Sequence, residues 1–168
     1  MNTLEDLFWD ALADMYYAEE QQIESLQKMA KAATHDDLRS AFESHLVETE
    51  EHVHKVKQIF ELSGRRAKAK PCLAMLGIID ETEDLISDNK QSPTINAALV
   101  YAAEKAEYYE IASYGGLHEW AKLLGHDDAA RLIGEILAEE KLVDNKLNKL
   151  ALEHCNPTAK TESIKIAA

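Results

Sequence analysis

Apolar residues recur every three or four positions along four long segments of the chain. The segments run from about Thr3 to about Ala33, from Asp36 to about Leu62, from Pro93 to about Leu124 and from about Asp127 to about His154. An α-helix turns by about 100° per residue, so residues at this spacing return to one side of it. The pattern therefore predicts four long amphipathic helices. Their apolar faces carry Phe8, Leu12, Met15, Ile23 and Leu26; Phe42, Leu46, Val53, Val56 and Phe60; Leu99, Ala106, Ser113 and Leu117; and Ile133, Leu137 and Leu147.

The connection between the second and third long helices is much longer than the other two connections. Ser63-Gly64 ends the second helix and Ser92-Pro93 begins the third, since Gly favours helix ends and Pro favours the first helical turn. A short helical stretch from about Leu73 to Asn89 lies between them. Two helical hairpins joined by a long crossover indicate an all-α fold, a ferritin-like antiparallel four-helix bundle. We expect one domain over residues 1–156 and a flexible tail over 157–168.

The composition narrows the function classes. Only three Pro and six Gly occur in 168 residues, which favours long helices. The formal net charge of −13 argues against binding nucleic acid or an anionic membrane. The N-terminus lacks the basic flank and apolar run of a signal peptide, and no stretch resembles a membrane span. Cys72 and Cys155 stand in no metal-binding spacing, so we interpret them as free thiols in a cytoplasmic protein.

Carboxylates occupy positions within the apolar faces of three helices. Glu19, Glu110 and Glu140 each lie near the middle of the face of their helix. A single acid at such a position can reach water or pair with Lys or Arg. Burying an unpaired carboxylate costs several kcal/mol, however, and few basic residues point inward on these helices. A shared pair of metal ions is the simplest partner for all three.

The second helix offers two sets of candidate ligands. Glu51 and His54 form a Glu-x-x-His pattern, but they fall opposite the apolar face and we expect them to face solvent. Glu48 and His52 lie at the edge of that face, one turn apart, and we prefer them as ligands. His45 is interpreted as a hydrogen-bonded histidine of the core or its boundary.

Glu107 and Asp144 complete the predicted ligand set. Glu107 lies at the edge of the third apolar face, and Asp144 follows Glu140 by one turn. Carboxylates with an imidazole suit iron or manganese better than zinc. This predicts a protein that handles iron, dioxygen or peroxide, and it leaves open whether the protein is a di-metal oxidoreductase. The alternative is a helical protein that acts by association and whose metal site is empty.

Four segments of the chain resemble the YciE/YciF family of bacterial ferritin-like proteins, also known as DUF892. They are DMYYAEEQQ, HLVETEEHV, EKAEYYEIASYG and LAEEKLVDNKL, and the resemblance runs from about Leu4 to about Leu152. It implies a rubrerythrin-related, usually dimeric helical bundle that is linked to bacterial stress. The resemblance also implies that Glu19, Glu48, Glu107, Glu110 and Glu140 are the acids of the site. An exposed Trp9 or Trp120 would favour a homodimer; any other protein partner is unknown.

Overall fold

The computed structural model describes residues 2–167; Met1 and Ala168 lie outside the described residues. Within that range the secondary structure is helical, with no strand. The helices are α1 (Leu4–Ala32), α2 (Asp36–Leu62), α3 (Leu73–Asp88), α4 (Ile95–Leu124), α5 (Asp127–Leu150) and α6 (Asn156–Ala167), and a π-helical turn (Ala151–Cys155) joins α5 to α6. The all-helical prediction is confirmed, as is the short helix in the long connection.

Short-range contacts determine where the long helices begin and end. The Thr3 hydroxyl accepts a hydrogen bond of 3.0 Å from the backbone N–H of Asp6 and caps α1. Gly125 ends α4 with a φ of 75°, a left-handed conformation that Gly adopts without strain. The amide oxygen of Asn96, at the start of α4, accepts hydrogen bonds from the backbone of Thr34 and His35. It thereby attaches the loop between α1 and α2 to the second hairpin.

The four long helices pack around a common interior. The first hairpin pairs α1 with α2 and the second pairs α4 with α5. The hairpins meet through contacts of α1 with α4 and of α2 with α5, while α3 packs outside against α1 and α4. Each long helix therefore contacts two of the others and contributes one face to the interior.

The interior consists of two separate apolar clusters. One contains Phe8, Leu12, Met15, Val56, Ile59, Tyr114, Leu117, Ile133 and Ile136. The other contains Leu26, Met29, Leu38, Phe42, Leu99, Val100, Leu147 and Leu150. Every long helix carries buried polar side chains near the boundary between the two clusters, so a polar layer crosses the middle of the protein.

The C-terminal segment differs from the predicted tail in its secondary structure. The helix continues through the π-helical turn into α6, and Ala159 is buried. Pro157 disrupts a regular α-helix because it lacks an N–H and its ring meets the carbonyl one turn earlier. In the wider turn the N–H of Asn156 bonds to the carbonyl of Ala151, five residues back. This wider spacing just before Pro157 allows the helix to continue past it.

Two expectations about the protein surface can be compared with the structure. None of the helices in the described part of the chain is long and apolar enough to cross a membrane. Trp9 is buried rather than exposed. Its indole N–H donates a hydrogen bond to Glu5, and the guanidinium of Arg65 lies 4.5 Å from its ring centre. Trp120 is half-buried. Trp9 therefore does not support an association surface.

Candidate metal centre

The polar layer contains two groups of potential metal ligands. We call His45, Glu107, Glu110 and Glu140 the His45 group, and Glu19, His52 and Glu140 the His52 group. Within each group, one potential ligand atom from every residue lies within 4.8 Å of all the others. All these residues are buried, and Glu140 belongs to both groups. The layer therefore has the form of two adjoining sites that share one carboxylate.

Glu140 stands between the two histidines. Its Oε1 lies 3.0 Å from Nδ1 of His52, and its Oε2 lies 3.7 Å from Nε2 of His45. The same Nε2 lies 3.1 Å from Oε1 of Glu107. The two oxygens of Glu140 are thus directed toward different groups, as a bridging carboxylate requires.

Glu19 is held at the side of the His52 group. One of its oxygens accepts a hydrogen bond of 2.5 Å from the hydroxyl of Tyr114, which is fully buried on α4. The other oxygen has no hydrogen-bond partner and lies 3.6 Å from Nδ1 of His52. Tyr114 therefore fixes one oxygen of Glu19 and leaves the other for a ligand.

The outer side of His52 contacts an ion pair between α2 and α5. Nε2 of His52 lies 2.9 Å from Oε2 of Glu139. Lys55 donates hydrogen bonds of 3.0 and 2.8 Å to the two oxygens of the same carboxylate. Although burial raises the pKa of Glu139, these hydrogen bonds lower it overall. The ionised carboxylate accepts from both side chains.

Most of the inward-facing oxygens lack a hydrogen-bond partner. Both carboxylate oxygens of Glu107, Glu110 and Glu140 are buried and unpartnered, as are both ring nitrogens of His45. Buried polar atoms are paired in the great majority of folded proteins, and each exception needs an explanation. A cation bound among these atoms would supply the missing partner. The residues present therefore fit a metal ion by both geometry and chemistry.

The pKa values of three buried acids, Glu19, Glu110 and Glu140, are raised. Burial raises the pKa of Glu110 well above its usual value, and the Glu140 and Glu19 carboxylates raise it further. Burial likewise raises the pKa of Glu140 to about 7 and raises that of Glu19. The layer is therefore costly to ionise without a compensating positive charge.

The pKa values of the two histidines are also raised, which favours their charged forms. Burial lowers the pKa of each imidazole, but the neighbouring carboxylates outweigh it. Glu107 is the main cause of the raised pKa of His45, while Glu140 and Glu19 raise that of His52 to about 10. Protonated histidines thus compensate part of the negative charge.

The structure brings together five of the seven predicted ligands, namely Glu19, His52, Glu107, Glu110 and Glu140. The other two, Glu48 and Asp144, are half-buried at the edge and belong to neither group. Glu48 contacts the layer only through Nδ1 of His45, at 3.5 Å. Glu51 and His54 are exposed, as expected.

His45 is buried, as expected of a core histidine, and it also belongs to one of the two groups of potential ligands. The expected apolar face of the second helix includes Leu46 and Val53, but both are only half-buried. The buried face contains Ala41, Phe42, His45, Thr49, His52 and Val56, so it is rotated toward the histidines. The seven-residue spacing of His45 and His52, two full turns on one side of α2, is the signal that identifies this face.

The chain resembles proteins of one family over nearly its whole length. Residues 3–160 match the family model described as Domain of unknown function (DUF892). Protein YciF of Escherichia coli strain K12 is 40% identical over 164 residues, which cover 97% of this chain and 99% of YciF.

Solved structures extend the comparison to the fold. The E. coli stress protein YciF superposes with a TM-score of 0.88 at 41% identity, covering 93% of this chain and 99% of that one. YcfI of Rhodopseudomonas palustris gives a TM-score of 0.85 at 39% identity, covering 88% and 94%. A Xanthomonas campestris protein, at 20% identity, gives a TM-score of 0.74 over 95% and 98% of the chains and shows the fold alone.

Proposed function

Because this chain belongs to the DUF892 family, we propose that it is a stress-associated protein of ferritin-like fold whose polar layer binds two metal ions. The proposed architecture is an antiparallel bundle of α1, α2, α4 and α5, supported by the contacts among these helices. The E. coli relative is described as a stress protein. The observation that carries the metal proposal is the shared residue Glu140, whose unpartnered oxygens face two separate groups of ligands.

The charge balance of the layer supports two divalent ions. The two groups together contain four carboxylates and two imidazoles. Two protonated histidines leave an excess of two negative charges when all four acids are ionised. Two divalent cations with neutral histidines would balance the four carboxylates and leave no buried net charge. Two ions would therefore allow all four acids to be ionised without an uncompensated buried charge, which costs several kcal/mol.

The donor set favours iron or manganese. Each group combines carboxylate oxygens with a single imidazole nitrogen, whereas zinc sites generally contain more nitrogen or sulfur. When bound, such ions would supply redox chemistry toward dioxygen or peroxide. The residues of the two groups would hold the ions, and the apolar clusters on both sides would exclude bulk water from them. Tyr114 orients Glu19 within this dry layer.

A metal-free role is the second candidate, and one observation favours it. His45 and Glu107 approach to 3.1 Å, and His52 and Glu140 to 3.0 Å, so protonated histidines can pair with acids directly. In that case the layer would be an internal ion-pair network and the protein would act through association. The second role leaves the unpartnered carboxylate oxygens of Glu110 unexplained.

Metal content distinguishes the two functions. The full chain would be produced in iron- and manganese-supplemented medium, purified without chelator and analysed by inductively coupled plasma mass spectrometry. We expect close to two ions per chain, and close to two for Glu51→Gln, whose carboxylate is exposed. Glu140→Gln should lose both. A wild-type chain without stoichiometric metal, also after anaerobic reconstitution with Fe(II) or Mn(II), would support the metal-free role.

Two further proposals concern the state of the protein in the cell. We propose that it forms a homodimer, because large apolar side chains such as Tyr101, Tyr108 and Leu123 on α4 are more than half exposed. Light scattering that gives the mass of one chain at high micromolar concentration would contradict this. We also propose a cytoplasmic location, since Cys72 and Cys155 are free thiols.

A further inference from the structure

We infer that Glu139 is a positioning residue that presents Nδ1 of His52, rather than Nε2, to the metal site. The inference rests on the proposed function, because it concerns how that site is assembled. Glu139 belongs to neither ligand group, and its side chain is 39% exposed. It acts on the site only through His52.

The direction of the hydrogen bond determines which nitrogen is available. The Glu139 carboxylate accepts two hydrogen bonds from Lys55, and an ionised carboxylate has no hydrogen to donate. The 2.9 Å contact with His52 therefore requires the hydrogen to be on Nε2. In the neutral imidazole that would bind a metal, Nδ1 is then the nitrogen with a free lone pair. It faces Glu140 at 3.0 Å and Glu19 at 3.6 Å. Metal-ligating histidines are generally oriented by such an outer hydrogen bond.

Lys55 is what keeps this carboxylate in place. Its side chain is 11% exposed, far less than a surface lysine, and it follows His52 by three residues on the same side of α2. Both donors therefore point from α2 toward Glu139 on α5. Without the ammonium group, a partly exposed glutamate could turn toward solvent and release the ring.

His45 provides an internal contrast. Its site-facing nitrogen is Nε2, and its outer nitrogen Nδ1 lies 3.5 Å from Glu48 without a hydrogen bond. No lysine pairs with Glu48 among the ion pairs of the described residues. The structure thus assigns Nδ1 of His52 and Nε2 of His45 as the ligand nitrogens of the two histidines. Of the two rings, His52 is the one held by a well-formed outer hydrogen bond.

The test uses the full chain, stripped with EDTA and titrated with Cd(II), a diamagnetic probe. Histidine labelled with ¹⁵N shows by ¹¹³Cd–¹⁵N coupling which ring nitrogen binds each ion. Competition with a fluorescent chelator gives the two affinities. The variants are Glu139→Gln, Lys55→Met and the matched control Glu135→Gln, which removes a carboxylate 3.9 Å from Lys55 without touching His52. Circular dichroism verifies that each variant is folded.

The wild-type chain should show coupling to Nδ1 of His52 and to Nε2 of His45. Glu139→Gln should lower the affinity for one of the two ions by about 10- to 100-fold and leave the affinity for the other unchanged. It should also reduce the ¹¹³Cd coupling to Nδ1 of His52. Lys55→Met should act in the same direction and Glu135→Gln should resemble the wild type.

Failure of the proposed role of Glu139 and failure of the proposed metal site give different results. Two ions bound equally well by wild type and Glu139→Gln, or coupling to Nε2 of His52, would overturn the role of Glu139 alone. A folded wild-type chain that binds neither Cd(II) nor Mn(II) would overturn the proposed function and this inference with it.

Discussion

The shared carboxylate Glu140 allows the cost of an ion-free polar layer to be measured. Replacing it by Gln keeps nearly the same shape and removes the charge. Burial raises the pKa of Glu140 to about 7 in the folded protein, from an ordinary value of 4.5. The folded state therefore binds this proton more tightly than the unfolded chain does. The stabilisation that this tighter proton binding gives the folded state is fully present below pH 4.5 and is lost as the pH rises toward 7.

The magnitude follows from the difference between the two pKa values. At about 1.4 kcal/mol for each pH unit, a rise of this size corresponds to about 3 kcal/mol lost by the metal-free wild type between about pH 4 and pH 7. Glu140→Gln lacks the titrating group and should keep that stability. Above pH 7 the loss of the proton from His52, whose raised pKa also favours the folded state, adds to the decline, so the comparison ends there.

The assay is urea unfolding of EDTA-treated protein at several pH values, followed by far-ultraviolet circular dichroism. We compare the free energy of unfolding of Glu140→Gln with that of the wild type at each pH. The variant's advantage over the wild type should be about 3 kcal/mol larger at pH 7 than at pH 4. Glu51→Gln, an exposed acid-to-amide control on α2, should parallel the wild type. Parallel curves for the wild type and Glu140→Gln would show that Glu140 is not a charged, buried group and would refute the reasoning.

Three further predictions concern the remaining residues of the layer. Fe(II) or Mn(II) at a hundredfold excess over its dissociation constant should stabilise the wild type by about 2.7 kcal/mol for each ion and raise its melting temperature. The double variant Glu19→Gln/Glu110→Gln should be more stable without metal and should show no such rise. A double variant whose melting temperature in calorimetry still rises with metal as the wild type's does would contradict this. Tyr114→Phe removes the hydrogen bond that the Tyr114 hydroxyl donates to Glu19 and should lower the free energy of unfolding by about 1–3 kcal/mol in urea, whereas no change would show that the contact does not hold Glu19. His45→Ala should reduce the metal content to one ion per chain, whereas Glu48→Ala should retain two ions and bind one of them more weakly. An equal loss of bound metal from both variants, measured by mass spectrometry, would mean that Glu48 is itself a ligand.

The sequence predicted the helices well because their apolar periodicity is strong and their ends carry local signals. The burial of Glu19, Glu110 and Glu140 followed from the same periodicity, since each lies near the middle of an apolar face. These predictions depend only on the angle between residues of one helix. They required no knowledge of how the helices pack.

The second helix was harder because its rotation depends on its neighbours. Leu46 and Val53 are apolar and belong to the predicted buried face, yet the polar residues His45 and His52 are the more buried ones. Carboxylates on other helices make these positions favourable, and the composition of α2 alone does not show this. Lys55 is buried for the same reason, through Glu139 on α5.

The C-terminus illustrates a different limit. Pro157 and the polar residues around it predict the end of a helix, and the π-helical turn that accommodates the proline has no simple sequence signal. Packing of Ala159 against the rest of the protein becomes apparent only in the structure.

The most direct test of the two-ion site is anomalous diffraction from crystals of the protein reconstituted with Mn(II). The proposed two-ion site predicts two anomalous peaks per chain, with Glu140 between them. One peak should lie among His45, Glu107 and Glu110, and the other between Glu19 and His52. A single peak, or no peak within the polar layer at full Mn(II) loading, would contradict the proposal that these residues form a two-metal centre.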